Sequence, residues 1–161
     1  MRARMLVAML AALVAVVASG CLAPAPPPAP PNWRAEMVND INAVRGSHGI
    51  GPVGECGPLD GAAQGHSVDM AVHQYVGDIG SDGSDVLTRE LRSGYAAVGA
   101  GENVAAGQST VAALMWGLET DPGHLAILLN PSYTAVGVGL ATTGAGFHYY
   151  WTQDFGFGGG C

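Results

Sequence analysis

Histidine, serine and cysteine are among the side chains of this chain that could act as nucleophiles, bases or metal ligands. The sequence has five histidines and three cysteines. It contains neither a Gly-x-Ser-x-Gly turn, which exposes a nucleophilic serine, nor a His-Glu-x-x-His helix, which binds zinc. Ser67 directly follows His66, but neighbouring helical side chains point about 100° apart, so the two cannot form a serine–histidine pair. The pattern therefore favours a protein that is not an enzyme.

Residues 1–20 have the pattern of an export signal. Two arginines near the start precede an apolar stretch over residues 5–18. That stretch is shorter than the roughly 20 residues that a membrane-spanning helix needs. It ends in small residues before Cys21, which resembles the lipobox of bacterial lipoproteins, where the cysteine is acylated with chains such as palmitate. We expect Cys21 to attach the protein to the outer side of a bacterial cell membrane; the alternatives are an ordinary cleavage site beside an unmodified Cys21 and a membrane-spanning anchor.

Residues 21–32 are rich in proline and alanine. Within them, the run from Ala23 to Pro31 is expected to form a stiff, extended spacer of about 3.1 Å per residue, roughly 30 Å in all. A spacer of this kind suits a domain that a lipid tethers to a membrane. The folded domain is then expected in residues 33–161, a length that can bury one hydrophobic core. We expect this domain to be a monomer.

The number of cysteines supports the same export hypothesis. Three cysteines are an odd number for an exported protein. If Cys21 carries a lipid, Cys56 and Cys161 remain as an even pair in an oxidising compartment. We therefore predict a Cys56–Cys161 disulfide, and the competing interpretation is two free thiols.

The composition excludes nucleic acids as partners. Six Lys+Arg stand against thirteen Asp+Glu, the formal net charge is −7, and the chain contains no lysine. Such a surface repels phosphates and anionic lipid headgroups, so membrane attachment must come from the lipid on Cys21. The chain is 48% hydrophobic and only 12% charged, which favours a compact fold over disorder.

The spacing of apolar residues predicts helices first and an antiparallel hairpin last. Asn32, Asp85 and Thr110 are placed to begin helices, and glycine or proline clusters end them. Helices flanking a small antiparallel sheet make an α+β fold, an α-β-α sandwich. The predicted helices cover residues 33–48, 59–76, 85–92, 110–118 and 122–129, and the predicted strands cover 99–106, 134–141 and 147–155.

Six short segments in order resemble the CAP superfamily, which is named for cysteine-rich secretory proteins, antigen 5 and pathogenesis-related proteins. The bacterial lipoproteins with this SCP-like domain are the more similar branch. The family fold is an α-β-α sandwich, in agreement with the pattern above. The segments are Asp40–Arg45, Ala62–Ala71, Gly101–Ala105, Asp121–His124 continuing to Pro131, Val136–Gly139 and Tyr150–Gly156.

The resemblance implies a central cavity where two histidines and two acids converge, in several members around a divalent metal. Glu102 matches the acid of the Gly-Glu-Asn motif, and His124 matches the Gly-His histidine. Either Glu119 or Asp121 takes the place of the second acid. Asp78 stands where the family has its first histidine. Because zinc prefers nitrogen and sulfur ligands, this replacement makes Mg²⁺, Mn²⁺ or Ca²⁺ more competitive with Zn²⁺.

The same residues also permit a purely structural interpretation. Glu102 and His124 could pair with one another and with buried backbone. His66 is expected to be a satisfied buried histidine, and His73, on the same helix face as Met70, is expected in the core rather than as a substitute ligand. The tryptophans are expected to be core or wall residues: Trp33, Trp116 and Trp151.

Three functional hypotheses follow from the resemblance. The favoured one is an extracytoplasmic, lipid-anchored CAP protein that binds a small apolar ligand or an envelope or host partner, needs no cofactor and does not catalyse a reaction. The second is a metal-dependent hydrolase acting on peptide or cell-wall material. The third is a structural or interaction module.

Overall fold

The computed structural model describes residues 24–161; the leader and Cys21 lie outside the described residues. This part of the chain folds into five α-helices and four β-strands. The predicted α+β class is confirmed. The strand predicted over residues 99–106 has the same bounds in the structure. The elements are α1 Trp33–Ser47, β1 Gly54–Glu55, α2 Gly57–His73, α3 Val86–Arg92, β2 Gly99–Ala106, α4 Val111–Thr120, α5 Pro122–Leu128, β3 Ala135–Thr142 and β4 Tyr149–Phe157.

The four strands form one sheet in the order β1-β3-β4-β2. Strand β4 pairs antiparallel with both β2 and β3, as predicted for the hairpin. Strand β1, which was not among the predicted strands, pairs parallel with β3, so the sheet as a whole is mixed. Strand β1 was not predicted because a two-residue strand has no hydrophobic periodicity to detect.

The helix ends show which local signals decide the boundaries. Asp85 caps α3 as predicted, since its Oδ1 accepts a hydrogen bond of 2.8 Å from the Thr88 amide. Thr110 caps α4 in the same way. Asn32 precedes α1, but its side chain caps nothing and its backbone is left-handed, with φ 57°. Helix α2 ends three residues earlier than predicted because Gln74 also adopts a left-handed conformation, with φ 57°.

Helices cover both faces of the sheet. Helix α2 packs on β3 and β4, and α3 lies beside β2 on the same side. Gly137 and Gly139 of β3 permit this close packing, because a Cβ at either position would collide with the backbone of α2. The opposite face carries the main hydrophobic core, which includes Met37, Ile41, Val44, Leu114, Met115, Leu118, Leu128, Val136, Val138, Trp151 and Phe155.

Side chains cover the edge of β3 beyond the short strand β1. Asp60 Oδ1 accepts a hydrogen bond from the Val138 amide, and Arg34 donates to the Val138 carbonyl. Gln64 bonds both the amide and the carbonyl of Leu140. An uncovered strand edge can pair with another chain, so these contacts protect the sheet from edge-to-edge association.

Two further contacts hold Cys161 and the first described residues against the domain. Cys56 and Cys161 form the predicted disulfide, with their Cα atoms 5.1 Å apart in space and a separation of 105 positions in sequence. The backbone of Pro24 and Ala25 lies against Gly144 in the β3–β4 turn. The start of the described tether therefore contacts the domain. No helix in residues 24–161 is long and apolar enough to cross a membrane.

Candidate functional site

The register of the sheet places two carboxyl groups side by side. Glu102 of β2 lies directly opposite Asp154 of β4. Both residues point toward α2 and α3, because Thr152 on the same side of β4 accepts a hydrogen bond from Ser67 of α2. Both side chains are buried. The α2–α3 side of the sheet therefore contains a pair of neighbouring acids that solvent does not reach.

One arginine balances the charge of this pair. Arg89 of α3 donates a 2.6 Å hydrogen bond to Glu102 Oε2 and further bonds to the carbonyls of Ser84 and Asp78. His66 Nε2 donates to the Gly77 carbonyl at 2.9 Å and lies 3.8 Å from Glu102 Oε1. A buried carboxylate is tolerated only when such a partner compensates for lost hydration.

A third acid, Glu90 of α3, lies near the pair and is fully buried. Burial and, next, the charge of Glu102 raise the pKa of Glu90 to about 8. The same two causes raise the pKa of the Asp154 carboxyl well above its usual value. We call Arg89, Glu90, Glu102, Asp154 and His66 the buried acid cluster. Its single arginine faces three carboxyl groups, and the raised pKa values of Glu90 and Asp154 favour the protonated forms of these two acids.

Several polar atoms of the buried acid cluster have no hydrogen-bond partner among residues 24–161. They include both carboxylate oxygens of Glu90 and of Asp154, Oε1 of Glu102 and Nδ1 of His66. A proton on Asp154 would provide a donor toward Glu102, its neighbour across the strands. Within the same residues, no group of three or more His, Cys, Asp or Glu side chains is arranged to hold a metal ion.

The opposite side of the sheet carries a separate polar group. Asn103 and Gln153 form the next pair across β2 and β4, and their side chains bond each other at 3.3 Å. Asn103 also donates to the backbone carbonyl of His124 in α5. Asp121 caps α5, and its bond from the His124 amide lowers the pKa of the Asp121 carboxyl. The His124 ring lies 3.4 Å from Asp121 and is 39% exposed.

An open groove lies between α1 and α4, and no residue of the buried acid cluster lines it. Its volume is about 300 Å³. Apolar side chains from the two helices form most of its wall, and one carboxylate from each helix joins them. Trp116 of α4 is 71% exposed there. We call this surface the α1–α4 groove; it is lined by Asp40, Ala43, Val44, Ala112, Met115, Trp116 and Glu119.

The CAP family, described as the cysteine-rich secretory protein family, matches residues 38–155. The chain belongs to this family. Among curated relatives, the Bacillus subtilis protein YkwD is 28% identical over 76% of this chain and 46% of its own length. The Bacillus subtilis membrane protein YlbC is 31% identical over 74% of this chain and 33% of its own length. The CAP chain therefore spans less than half the length of these relatives.

Solved structures support the same fold. An extracellular protein with an SCP domain from Bacillus anthracis superposes with a TM-score of 0.70 and 25% identity, over 81% of this chain and 44% of that one. An outer surface protein from Borrelia burgdorferi gives a TM-score of 0.68 at 14% identity, over 76% of this chain and 90% of that one. The second similarity shows the fold alone.

The structure of this CAP domain does not bring Glu102 and His124 together, which corrects the expected cavity. Adjacent residues of a strand point to opposite faces, so Glu102 faces α2 and α3 whereas its neighbour Asn103 faces His124. His124 meets Asp121 instead, and Glu119 lies in the α1–α4 groove. The ligand set derived from the resemblance therefore does not fit a metal ion in this arrangement, since Arg89 already pairs with Glu102.

The other residues singled out in the sequence agree with expectation only in part. Asp78 is exposed, and only its backbone carbonyl contacts Arg89. His73 is exposed beside Asp69 and is not a core residue, because the helix ends immediately after it. His66 is buried as expected, but only one of its ring nitrogens is satisfied. Trp116 is an exposed residue in the wall of the α1–α4 groove, which is one of the two positions expected for the tryptophans.

Sequence reasoning missed Asp154, Arg89 and Glu90 of the buried acid cluster. One signal for Asp154 was available: it is an acid inside the aromatic run of a predicted strand, where a carboxyl group has to be buried or paired. Arg89 and Glu90 carried no such signal, because charged residues on a short helix are usually exposed. Only the packing of α3 against β2 turns them inward.

Proposed function

We propose that this chain is an extracytoplasmic, lipid-anchored CAP protein that binds a small apolar ligand in the α1–α4 groove and does not catalyse a reaction. The observation that carries the proposal is Trp116, a large indole exposed beside an apolar concavity. Exposed apolar surface of this kind is typical of binding sites. The groove, at about 300 Å³, is at the lower end of the range for small-molecule sites.

The buried acid cluster supports a non-enzymatic role. A hydrolytic site has to admit substrate and water to its acid, base or nucleophile. The Glu102 side chain is only 2% exposed and Asp154 is fully buried. Neither of them lines the α1–α4 groove or the concavities beside His124 and His148. The geometry therefore favours a structural role for these acids and gives no support to the hydrolase hypothesis.

The cellular location rests on three observations. The leader has the pattern of an export signal, Cys56 and Cys161 are paired as expected in an oxidising compartment, and CAP neighbours are described as extracellular or outer-surface proteins. The lipid anchor is tested by measuring the intact mass of protein extracted from membranes. We expect a fragment that begins at Cys21 and carries acyl chains, and an unmodified cysteine there would contradict the anchor.

Ligand binding is tested with the mature polypeptide without its lipid, residues 22–161, which includes every described residue. Octanol is titrated into the protein in a calorimeter, so that detection does not depend on tryptophan. We expect saturable binding that Trp116→Ala weakens about tenfold, because the indole supplies much of the apolar contact. Val98→Ala is the matched control, since Val98 is similarly exposed, at 72%, but lies outside the groove. Equal weakening by both variants would contradict the site.

A further inference from the structure

We infer that the α1–α4 groove selects an apolar ligand that carries a positive charge, such as an alkylamine, over a fatty acid. This inference rests on the proposed function and adds the chemical class of the ligand. The two helices each contribute one carboxylate to the groove, Asp40 from α1 and Glu119 from α4. No basic residue is among the residues that line it.

The two carboxylates are free to bind a ligand. Neither Asp40 nor Glu119 forms an ion pair with any side chain in residues 24–161, in contrast to Asp60 and Asp82, which pair with Arg34 and Arg92. Glu119 is exposed and Asp40 is half-buried, so both are accessible to a ligand, whereas Val44 and Met115 of the same groove are buried. An ammonium group bound there would be attracted by two negatively charged carboxylates.

The exposed indole adds a second reason to favour a cation. The face of a tryptophan ring attracts ammonium and guanidinium groups, and Trp116 stands in the same groove as both acids. The carboxylate of a fatty acid bound in the groove would instead bring a third negative charge close to Asp40 and Glu119. The chain as a whole has a net charge of −7, which repels anions at longer range as well.

The experiment compares three probes that share one apolar chain: octylamine, octanol and octanoate. They are titrated below their micellar concentrations into residues 22–161, at neutral pH and low salt. We expect octylamine to bind about tenfold more tightly than octanoate, with octanol between them. The double variant Asp40→Asn/Glu119→Gln should bring the three affinities within about twofold of each other and leave octanol unchanged. Added salt should have the same levelling effect on the wild type.

A matched control removes two negative charges outside the groove. Glu55→Gln/Asp78→Asn changes the net charge by the same amount, and both residues are exposed outside the groove, Glu55 in β1 and Asp78 in the loop between α2 and α3. We expect this variant to keep the preference for octylamine. If octanol does not bind, or binds regardless of Trp116→Ala, the proposed function fails. If octanol binds through Trp116 but the three probes bind equally, or the control variant loses the preference as the groove variant does, the charge selection is overturned and the proposed function stands.

Discussion

At the residue scale, Arg89 is the residue on which the buried acid cluster depends. Its guanidinium group pairs with Glu102 and holds the carbonyls of Ser84 and Asp78, so it links α3 to β2 and to the preceding loop. Arg92, one turn later on the same helix, pairs with Asp82 at the surface. The two ion pairs have the same 2.6 Å distance but very different exposure to water.

Replacing Arg89 with methionine should therefore destabilise the fold far more than Arg92→Met does. Arg89→Met keeps much of the apolar volume but leaves a buried carboxylate without its cation, which costs about 3–5 kcal/mol. Arg92→Met breaks an exposed pair and should change stability little, because water and salt already screen such pairs. Urea denaturation followed by circular dichroism measures both. Similar losses in the two variants would show that burial of Arg89 has no energetic consequence.

The raised pKa of Glu90 predicts how stability depends on pH. In the folded protein Glu90 stays protonated up to about pH 8, whereas an unfolded glutamate ionises near 4.5. Unfolding between these values releases a proton, so the free energy of unfolding should fall by roughly 3–5 kcal/mol as pH rises from 4.5 to about 8. The raised pKa of Asp154 acts in the same direction.

Urea denaturation at several pH values, for the wild type and Glu90→Gln, tests this dependence. Glutamine resembles the protonated acid and cannot ionise, so the variant should lose stability less steeply with pH. The exposed acid Asp78 provides the control, because Asp78→Asn should leave the slope of the wild type unchanged. If the free energy of unfolding depends on pH equally in the wild type and in Glu90→Gln, groups other than Glu90 cause the dependence.

At the element scale, contact between α2 and β3 sets the position of the buried acid cluster. Gly137 lies directly opposite Asp154, and β3 can approach α2 there because the glycine has no side chain. Asp60 and Gln64 of the same helix then reach the edge of β3 and bond its amides. Gly137 therefore supports both the burial of Glu102 and Asp154 and the protection of the sheet edge.

Gly137→Ala should be strongly destabilising. The added Cβ meets the backbone of Leu59 and Asp60, which cannot move without shifting the whole helix. We expect a loss of about 2–3 kcal/mol, typical of overpacking in a core. Gly65→Ala is the contrasting control, because its Cβ meets nothing within 4 Å on the exposed side of α2. That variant should gain up to about 1 kcal/mol from helix propensity. Thermal melts distinguish the two signs.

At the scale of the whole molecule, the disulfide fixes the C-terminus to the start of α2. Cys56 is fully buried beside Leu59, Tyr95 and Ala135, and its amide donates to the carbonyl of Val136. The bond closes a loop of about 105 residues, which includes α2 to β4. A loop of this length restricts the unfolded chain strongly.

Cys161→Ser should lower the free energy of unfolding by about 2–4 kcal/mol without changing the fold. Cys161 is exposed, which makes the substitution sterically mild, and Cys56 can remain as a small buried thiol. The wild type treated with a reductant should match the variant, whereas the oxidised wild type should be more stable. Peptide mapping without reductant that found both cysteines free to alkylate would contradict the pairing.

Local sequence was enough to predict the helices, the hairpin and the family. Signals such as the cap at Asp85 act within a few residues, and the family's segments keep their order along the chain. Which side chains meet depends instead on long-range packing. The register between β2 and β4 pairs Glu102 with Asp154. Successive residues of a strand point to opposite faces, so Glu102 and His124 lie on different sides of the sheet. Trp116 likewise lines a groove only because of how α1 packs against α4. The periodicity of apolar residues in a sequence does not show where two packed helices leave a gap.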